Sequence, residues 1–127
     1  MVRFAIISLL VLAGCAGQQV SRAAVAPAYD GVVTRLLDGD LVNFLVAVRG
    51  AETPDTVEQY ARCAAAQYTL IRGYSFARQV RTTVDQQAGV WTADAVYTIS
   101  ADLPRGFRTI DAEVVVADCA TSGIPTV

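Results

Sequence analysis

Residues 41–73, LVNFLVAVRGAETPDTVEQYARCAAAQYTLIRG, contain the passage from strand to helix that decides the fold. In the first nine residues, Val42, Phe44, Val46 and Val48 alternate with other side chains. This period of two predicts a strand that buries one face.

A helix is predicted directly after this strand. Thr53 is placed as the N-cap, Pro54 at the first helical position, where its missing N–H costs nothing, and Gly73 at the left-handed position that ends the helix. Glu58 and Arg62, four residues apart, are interpreted as an ion pair on the solvent side. The buried face is predicted from the spacing of three, four and seven at Val57, Tyr60, Ala61, Ala64, Tyr68 and Ile71.

Four further strands are predicted around this unit. Asp38-Gly39 is typical of a tight turn, so residues 32–37 and 41–49 should form a hairpin. Residues 76–85 are expected to bury Phe76, Val80 and Val84, and residues 90–100 alternate cleanly. Residues 109–117 are expected to be the last strand, with its core face formed by Ile110, Ala112, Val114 and Val116.

The predicted order is therefore β-β-α-β-β-β. It indicates an α+β fold with two layers, in which one helix packs on a mostly antiparallel five-stranded sheet. The strands on either side of the helix should run parallel to each other.

The amino terminus has the pattern of an export signal. Arg3 precedes an apolar run at residues 4–13 that ends at Gly14. Ten helical residues would span only about 15 Å of a hydrocarbon core about 30 Å thick. Residues 1–14 are therefore predicted to be a signal peptide rather than a membrane span.

Leu12-Ala13-Gly14-Cys15 resembles the lipobox of bacterial lipoprotein precursors. The resemblance implies cleavage between Gly14 and Cys15, attachment of diacylglycerol to Cys15, and acylation of the new amino group by a fatty acid such as palmitate. Because Ala16 rather than Asp follows, it also implies the periplasmic face of the outer membrane in a Gram-negative host. The alternative is an ordinary secretory signal with a chance cysteine near its cleavage point.

Three parts of the chain follow from these patterns. Residues 1–14 are the predicted lipoprotein signal peptide, and residues 15–31 are predicted to be a lipidated amino terminus and tether, because they lack a sustained period and are rich in Ala, Gln, Gly and Pro. Residues 32–127 are predicted to form a single α+β domain.

The composition excludes several classes of function. The 127 residues include no His, and all ten cations are arginine, so the common His-based nucleophilic sites, His-rich zinc sites and lysine Schiff bases are excluded. A net charge of −2 offers no basic surface for nucleic acid. No cofactor and no metal are expected.

Cys63 and Cys119 are the cysteines that remain after Cys15 is assigned to the lipid anchor. An even pair in an oxidising compartment favours a disulfide. However, alternation along the predicted last strand directs Cys119 away from the core, so two buried free thiols remain the alternative.

Two acidic pairs are weighed as sites. Asp38 and Asp40 flank a turn glycine, which indicates turn chemistry rather than a metal site, since hard cations need about six oxygen ligands. Asp111 and Glu113 share the predicted outward face of the last strand and could form a hydrolase pair, but a solvated strand face is the simpler interpretation.

The aromatic residues suggest one small-molecule site. Tyr68, Trp91 and Tyr97 are candidates for a ligand-binding groove between helix and sheet, although aromatic residues at core spacing are usually core.

Residues 44–76 resemble the central segment of a family of small proteobacterial lipoproteins of unassigned function. This chain departs from the family pattern at Ala64, where the family usually has Arg, and at Gln67, where it has Glu. The resemblance implies a fold and a location but no catalytic residue. It rests on Arg49-Gly50, Thr53, Tyr60, Ala65-Ala66, Thr69, Gly73, Tyr74 and Phe76.

The sequence therefore predicts a non-enzymatic envelope lipoprotein, anchored in the membrane through Cys15, that binds an envelope protein partner or contributes to envelope structure. The alternative is a periplasmic small-ligand binder that uses Tyr68, Trp91 and Tyr97. A hydrolase that uses Asp111 or Glu113 is the third hypothesis.

Overall fold

Residues 26–127 are described by a computed structural model of the chain. The predicted signal peptide, the lipobox at Cys15 and the first part of the predicted tether lie outside these residues. The elements are β1 (Ala28–Leu36), β2 (Leu41–Arg49), α1 (Asp55–Ile71), β3 (Phe76–Gln87), β4 (Val90–Ser100), β5 (Thr109–Asp111) and α2 (Ala112–Thr121).

The five strands form one sheet in the order β1-β2-β4-β3-β5, and every pair of neighbours is antiparallel. Because β2 and β3 each run antiparallel to β4, they run parallel to each other, with α1 as their connection. Both predictions, the α+β class and the parallel strands around the helix, are confirmed.

The hairpin of β1 and β2 forms as expected, but β1 begins before Val32. Residues 28–31 of the predicted tether belong to the sheet. Two contacts explain the longer strand: the ring of Tyr29 packs edge-on against Tyr60 at 4.9 Å between centroids, and Asp30 forms an ion pair of 2.9 Å with Arg49.

Helix α1 buries a wider face than a single sheet contact requires, since it packs against the sheet and against α2. Ala64, Ala65 and Ala66 are all fully buried, because small side chains let both neighbours approach closely. Thr69 is buried too, with its hydroxyl donating to the Ala65 carbonyl at 2.7 Å.

Three details of this helix differ from the sequence prediction. The helix begins at Asp55 with Pro54 as its N-cap, and no side chain caps it, so Thr53 does not have the predicted role. Ile71 is 61% exposed because it lies in the last turn, beyond the buried face.

Strand β3 contains an irregularity that changes its predicted face. The register with β4 shifts between Gln79 and Arg81, a β-bulge that reverses the alternation of side chains. Val80 is therefore exposed, and Phe76 and Val84 do not share a face. The residues of β3 directed toward the helices are Ala77, Gln79, Thr82 and Val84.

The predicted last strand, residues 109–117, is wrong after its third residue. The carboxylate of Asp111 accepts hydrogen bonds from the backbone amides of Glu113 at 3.1 Å and Val114 at 3.4 Å, and it is the N-cap of α2. The buried positions accordingly follow a helical spacing, and Val114, predicted to be in the core, is 56% exposed. They are Ala112, Val115 and Cys119.

This second helix explains the pairing of Cys63 with Cys119. The two residues form a disulfide with 6.0 Å between their Cα atoms, which confirms the predicted bridge. The objection that Cys119 points away from the core held only for a strand; on a helix, Cys119 faces α1.

Loss of this disulfide should destabilise the domain by about 4 kcal/mol, because the bridge closes a long loop and restricts the unfolded chain. The measurement is urea unfolding of the Cys63→Ala/Cys119→Ala variant beside the wild type with and without reductant. An unfolding midpoint that neither the variant nor the reductant lowers would contradict the bridge.

Loss of the Asp111 cap should cost about 1 kcal/mol, since two amides of α2 lose their acceptor. Chemical unfolding of Asp111→Ala measures this cost. Asp118→Ala is the matched control: Asp118 lies near the negative end of the same helix, so its removal should leave stability unchanged or slightly higher. Equal destabilisation by both variants would rule out a specific role for the cap.

Candidate functional site

The predicted aromatic trio, Tyr68, Trp91 and Tyr97, does not form one groove. Trp91 and Tyr97 are six residues apart on β4, a separation of about 20 Å along the strand. The indole N–H of Trp91 donates to the Ala51 carbonyl at 3.1 Å, at the loop before α1. The rings of Tyr68 and Tyr97 each pack edge-on against the ring of Phe44, at centroid distances of 5.8 and 6.1 Å. Trp91 is therefore separate from the other two.

Tyr97 borders a polar hollow, which we call the α1–β3 groove. The groove consists of two adjoining hollows of about 270 and 600 Å³ between helix α1 and strand β3. Its principal polar lining is Asp55, Glu58 and Arg62 from α1, Gln79 and Thr82 from β3, Tyr97 from β4, and Arg108 from the segment before β5.

The groove is open because the sheet is incomplete on this side. Strand β5 has three residues and pairs with β3 only at Phe76–Arg78. Beyond Gln79 the bulge begins, and no strand of the described chain covers the outer edge of β3. The residues that would lie beside this edge are those before Thr109, and they do not continue the strand beyond the hydrogen bond from the Gln79 amide to the Arg108 carbonyl.

Tyr97 forms the floor of the groove. Its side chain is nearly all buried, with 3% of the residue exposed, and its hydroxyl has no hydrogen-bond partner within residues 26–127. Burial raises the pKa of Tyr97 to about 12; the charges of Arg62 and Arg108 oppose this shift, and that of Glu58 adds to it. Three charged side chains from two parts of the chain therefore act on the one hydroxyl at the floor of the groove.

The two arginines of the groove are not neutralised by a neighbouring acid. Among the described residues, the ion pairs are Arg49 with Asp30 and Arg81 with Asp94. The Glu58–Arg62 pair expected from the helical spacing is absent, so that prediction is wrong. Both guanidiniums are thus available to another anion.

The backbone at Arg108 holds this side of the groove in place. Arg108 has a φ of +59°, an uncommon conformation for a residue with a side chain. Its carbonyl accepts the Gln79 amide at 3.1 Å, which ties the segment to β3 at the bulge. The neighbouring Thr109 hydroxyl, also on the groove, is buried with no partner in the described chain. Buried hydroxyls usually have a partner, so the Thr109 hydroxyl is an unmet donor at the groove.

The sheet face opposite the helices carries a second polar group. The Asn43 amide donates to the Asp94 carboxylate at 2.6 Å and to the Ala95 carbonyl at 3.2 Å, and Arg81 reaches Asp94 from β3. These bonds join β2, β4 and β3 across the centre of the sheet. Because its members satisfy one another, this group stabilises strand register rather than offering free donors.

The two acidic pairs that the sequence analysis considered as sites have structural roles in the fold. The Asp40 carboxylate accepts the Tyr74 hydroxyl at 3.4 Å, and the Asp38 carbonyl accepts the Leu41 amide in the turn. Asp111 is occupied as a helix cap, and Glu113 lies on α2, so the two do not share a strand face. In residues 26–127 no three metal-ligating side chains cluster together.

Five of the residues on which the family resemblance rests also have structural roles. Arg49 pairs with Asp30, Tyr60 and Thr69 are buried, and Gly50 and Gly73 adopt positive φ of 75° and 76° at the ends of β2 and α1. None of these five lines the α1–β3 groove.

Sequence reasoning missed most of the groove. Glu58 and Arg62 are interpreted from the sequence as a solvated pair, Thr109 as the first residue of a strand, and Arg108 as a residue just before it. The helical spacing of Ala112, Val115 and Cys119 after Asp111 could have identified α2, but no local signal brings Arg62 and Arg108 to one groove.

Over the part of the chain that the structure describes, no helix is both long and apolar enough to cross a membrane.

Comparison with known proteins places the fold in a family. A model described as "YNQ4 C-terminal domain" matches residues 29–123. An "Uncharacterized 26.9 kDa protein in nqo8 5'region" of Paracoccus denitrificans is 33% identical over 85 residues, which cover 67% of this chain and 33% of that protein. The chain thus spans about a third of that relative's length, and no solved structure matches. The chain belongs to the YNQ4 C-terminal domain family.

Proposed function

We propose that the chain is a lipid-anchored protein of the cell envelope with a non-enzymatic binding role. The observation that carries this proposal is the Cys63–Cys119 disulfide, because such bridges persist in oxidising compartments outside the cytosol. The disulfide supports export, and the lipobox pattern at Leu12–Cys15 supplies the anchor. Cleavage before Cys15 and diacylglycerol on its sulfur are part of the proposal.

The proposed anchor restricts where the domain can act. Twelve residues separate Cys15 from Ala28, the start of β1, and the thirteen steps of chain between the two residues span at most about 45 Å. Two or three acyl chains hold a protein on a bilayer with little exchange. The domain therefore meets its partner close to a membrane, which in a Gram-negative host is the outer membrane, because Ala16 follows the lipidated cysteine.

Replacing Cys15 with Ser should remove the lipid and leave an uncleaved precursor. Membrane fractionation and the intact mass measure this, and Ala16→Gly is the matched control that should keep both the lipid and the cleavage. An unchanged mass and unchanged membrane association of Cys15→Ser would contradict the anchor.

The proposed protein partner binds the sheet face opposite the helices. On this face Val33, which is exposed, and Leu45 and Ala47, which are half-buried, border a shallow hollow of about 580 Å³. Asp94, which borders the hollow and is partly exposed, can form polar contacts beside this apolar patch.

The partner should be captured by a photo-reactive residue at Thr83 on this face. The chain has no lysine, so amine-reactive reagents cannot be used on its side chains. We expect one discrete adduct from Thr83 and none from the matched position Glu113 on α2, and the adduct should be lost in Cys15→Ser. Adducts of equal yield from both positions would refute a specific partner face.

The second candidate is a small-ligand binder, and the α1–β3 groove favours it over the aromatic trio. The groove has a free hydroxyl at its floor and charged side chains on two sides, whereas the Trp91 indole N–H is already bonded to Ala51. Small-molecule sites are typically concave and contain a few convergent polar groups.

A further inference from the structure

The α1–β3 groove has more donors than the protein itself satisfies. The Tyr97 and Thr109 hydroxyls have no partner among the described residues, and the guanidiniums of Arg62 and Arg108 have no acid within ion-pair distance in the same range. All four groups can donate, and the Thr109 hydroxyl is in addition buried, where a donor without an acceptor is costly. The chemistry that would satisfy them is an oxygen-rich acceptor.

The charge around the larger hollow of the groove favours an anion, whereas the smaller hollow also contains the Asp55 carboxylate and has no excess of positive charge. Two guanidiniums against the single carboxylate of Glu58 leave one positive charge around the larger hollow, in a chain whose net charge is −2. Guanidinium groups match the geometry of carboxylate and phosphate oxygens, and each can form paired hydrogen bonds. Arg62 on α1 and Arg108 beside β5 approach the groove from different elements, so a small anion could contact both.

The groove is also preformed. Tyr97 lies on β4, the central strand of the sheet, which pairs with β2 on one side and with β3 on the other. Arg108 is held by its backbone bond to Gln79 and by its positive φ. Strained backbone of this kind is often found at binding sites, and it fixes a side chain before the ligand arrives.

We propose that the α1–β3 groove binds a small anion bearing carboxylate or phosphate groups, held by Arg62 and Arg108 with the Tyr97 and Thr109 hydroxyls as further donors. This inference rests on the ligand-binding candidate above and does not depend on the lipid anchor or on the protein partner. The Tyr97 hydroxyl stays protonated near neutral pH and therefore donates. Glu58 opposes binding through its like charge.

The test is calorimetric titration of the full chain in detergent with inorganic phosphate and, separately, with succinate. We expect saturable binding of at least one of them, and the stronger of the two identifies the preferred group. Arg62→Gln and Arg108→Gln should each weaken binding about tenfold or more, the effect of removing one charged hydrogen bond. Tyr97→Phe should weaken it about fivefold.

Two further variants separate a binding role from a structural one. Glu58→Gln should tighten binding, by about threefold or more, because it removes a negative charge beside the anion. Arg35→Gln on β1, at the far edge of the sheet, is the matched control for the lost arginine and should bind as the wild type does. Circular dichroism checks that each variant is folded.

The inference is overturned if neither anion binds saturably, or if binding is unchanged in both Arg62→Gln and Arg108→Gln. It is also overturned if Glu58→Gln and Arg62→Gln change affinity in the same direction. A chain that fractionates with membranes through Cys15 but binds neither anion would refute this inference alone and leave the proposed anchor intact.

Discussion

The carboxylate of Asp111 accepts the backbone amides of Glu113 and Val114, and this cap turns the chain out of the sheet after only three residues of β5. The turn places α2 against α1 and brings Cys119 to Cys63. The outer edge of β3 beyond Gln79 lies at the opposite end of β5, where the residues before Thr109 do not continue the strand. No strand of the described chain covers that edge, and the α1–β3 groove opens there.

The helical layer is stable in spite of this gap because small residues allow close packing. Ala64, Ala65 and Ala66 lie between the sheet and α2 with no exposed surface, so α1 can contact both. The disulfide then fixes the two helices side by side. Because the alanines and the disulfide make the packing contacts of α1, its charged residues Glu58 and Arg62 are not needed for packing. They face solvent at the groove, beside Tyr97.

Much of the fold was predictable because its local signals agree with its tertiary contacts. The alternation in β2, the Pro54 start and Gly73 end of α1, and the Asp38-Gly39 turn all have local causes that tertiary packing does not override. The last strand was mispredicted because Ile110, Ala112, Val114 and Val116 fit a period of two, while the cap at Asp111 depends on one side chain. The bulge in β3 likewise adds a single residue and reverses the face of everything after it.

The site was harder to predict than the fold, since its residues come from four separate places in the sequence. Tyr97 was a candidate, but its neighbours Arg62 and Arg108 are 46 residues apart and border one groove only because α1 packs on the sheet beside the segment that precedes β5. The bulge at Gln79 and the positive φ of Arg108 have no clear sequence signal, because neither position is a glycine. The acidic pair weighed on the predicted last strand, Asp111 and Glu113, does not form a site. Asp111 caps α2, and Glu113 lies on that helix.

The most direct test of the account is the anomalous difference density of a crystal soaked in arsenate, an anomalously scattering analogue of phosphate. The account predicts a peak in the α1–β3 groove, within hydrogen-bond distance of the Arg62 and Arg108 guanidiniums and the Tyr97 hydroxyl. Density confined to other surfaces, with the groove filled only by water, would contradict it.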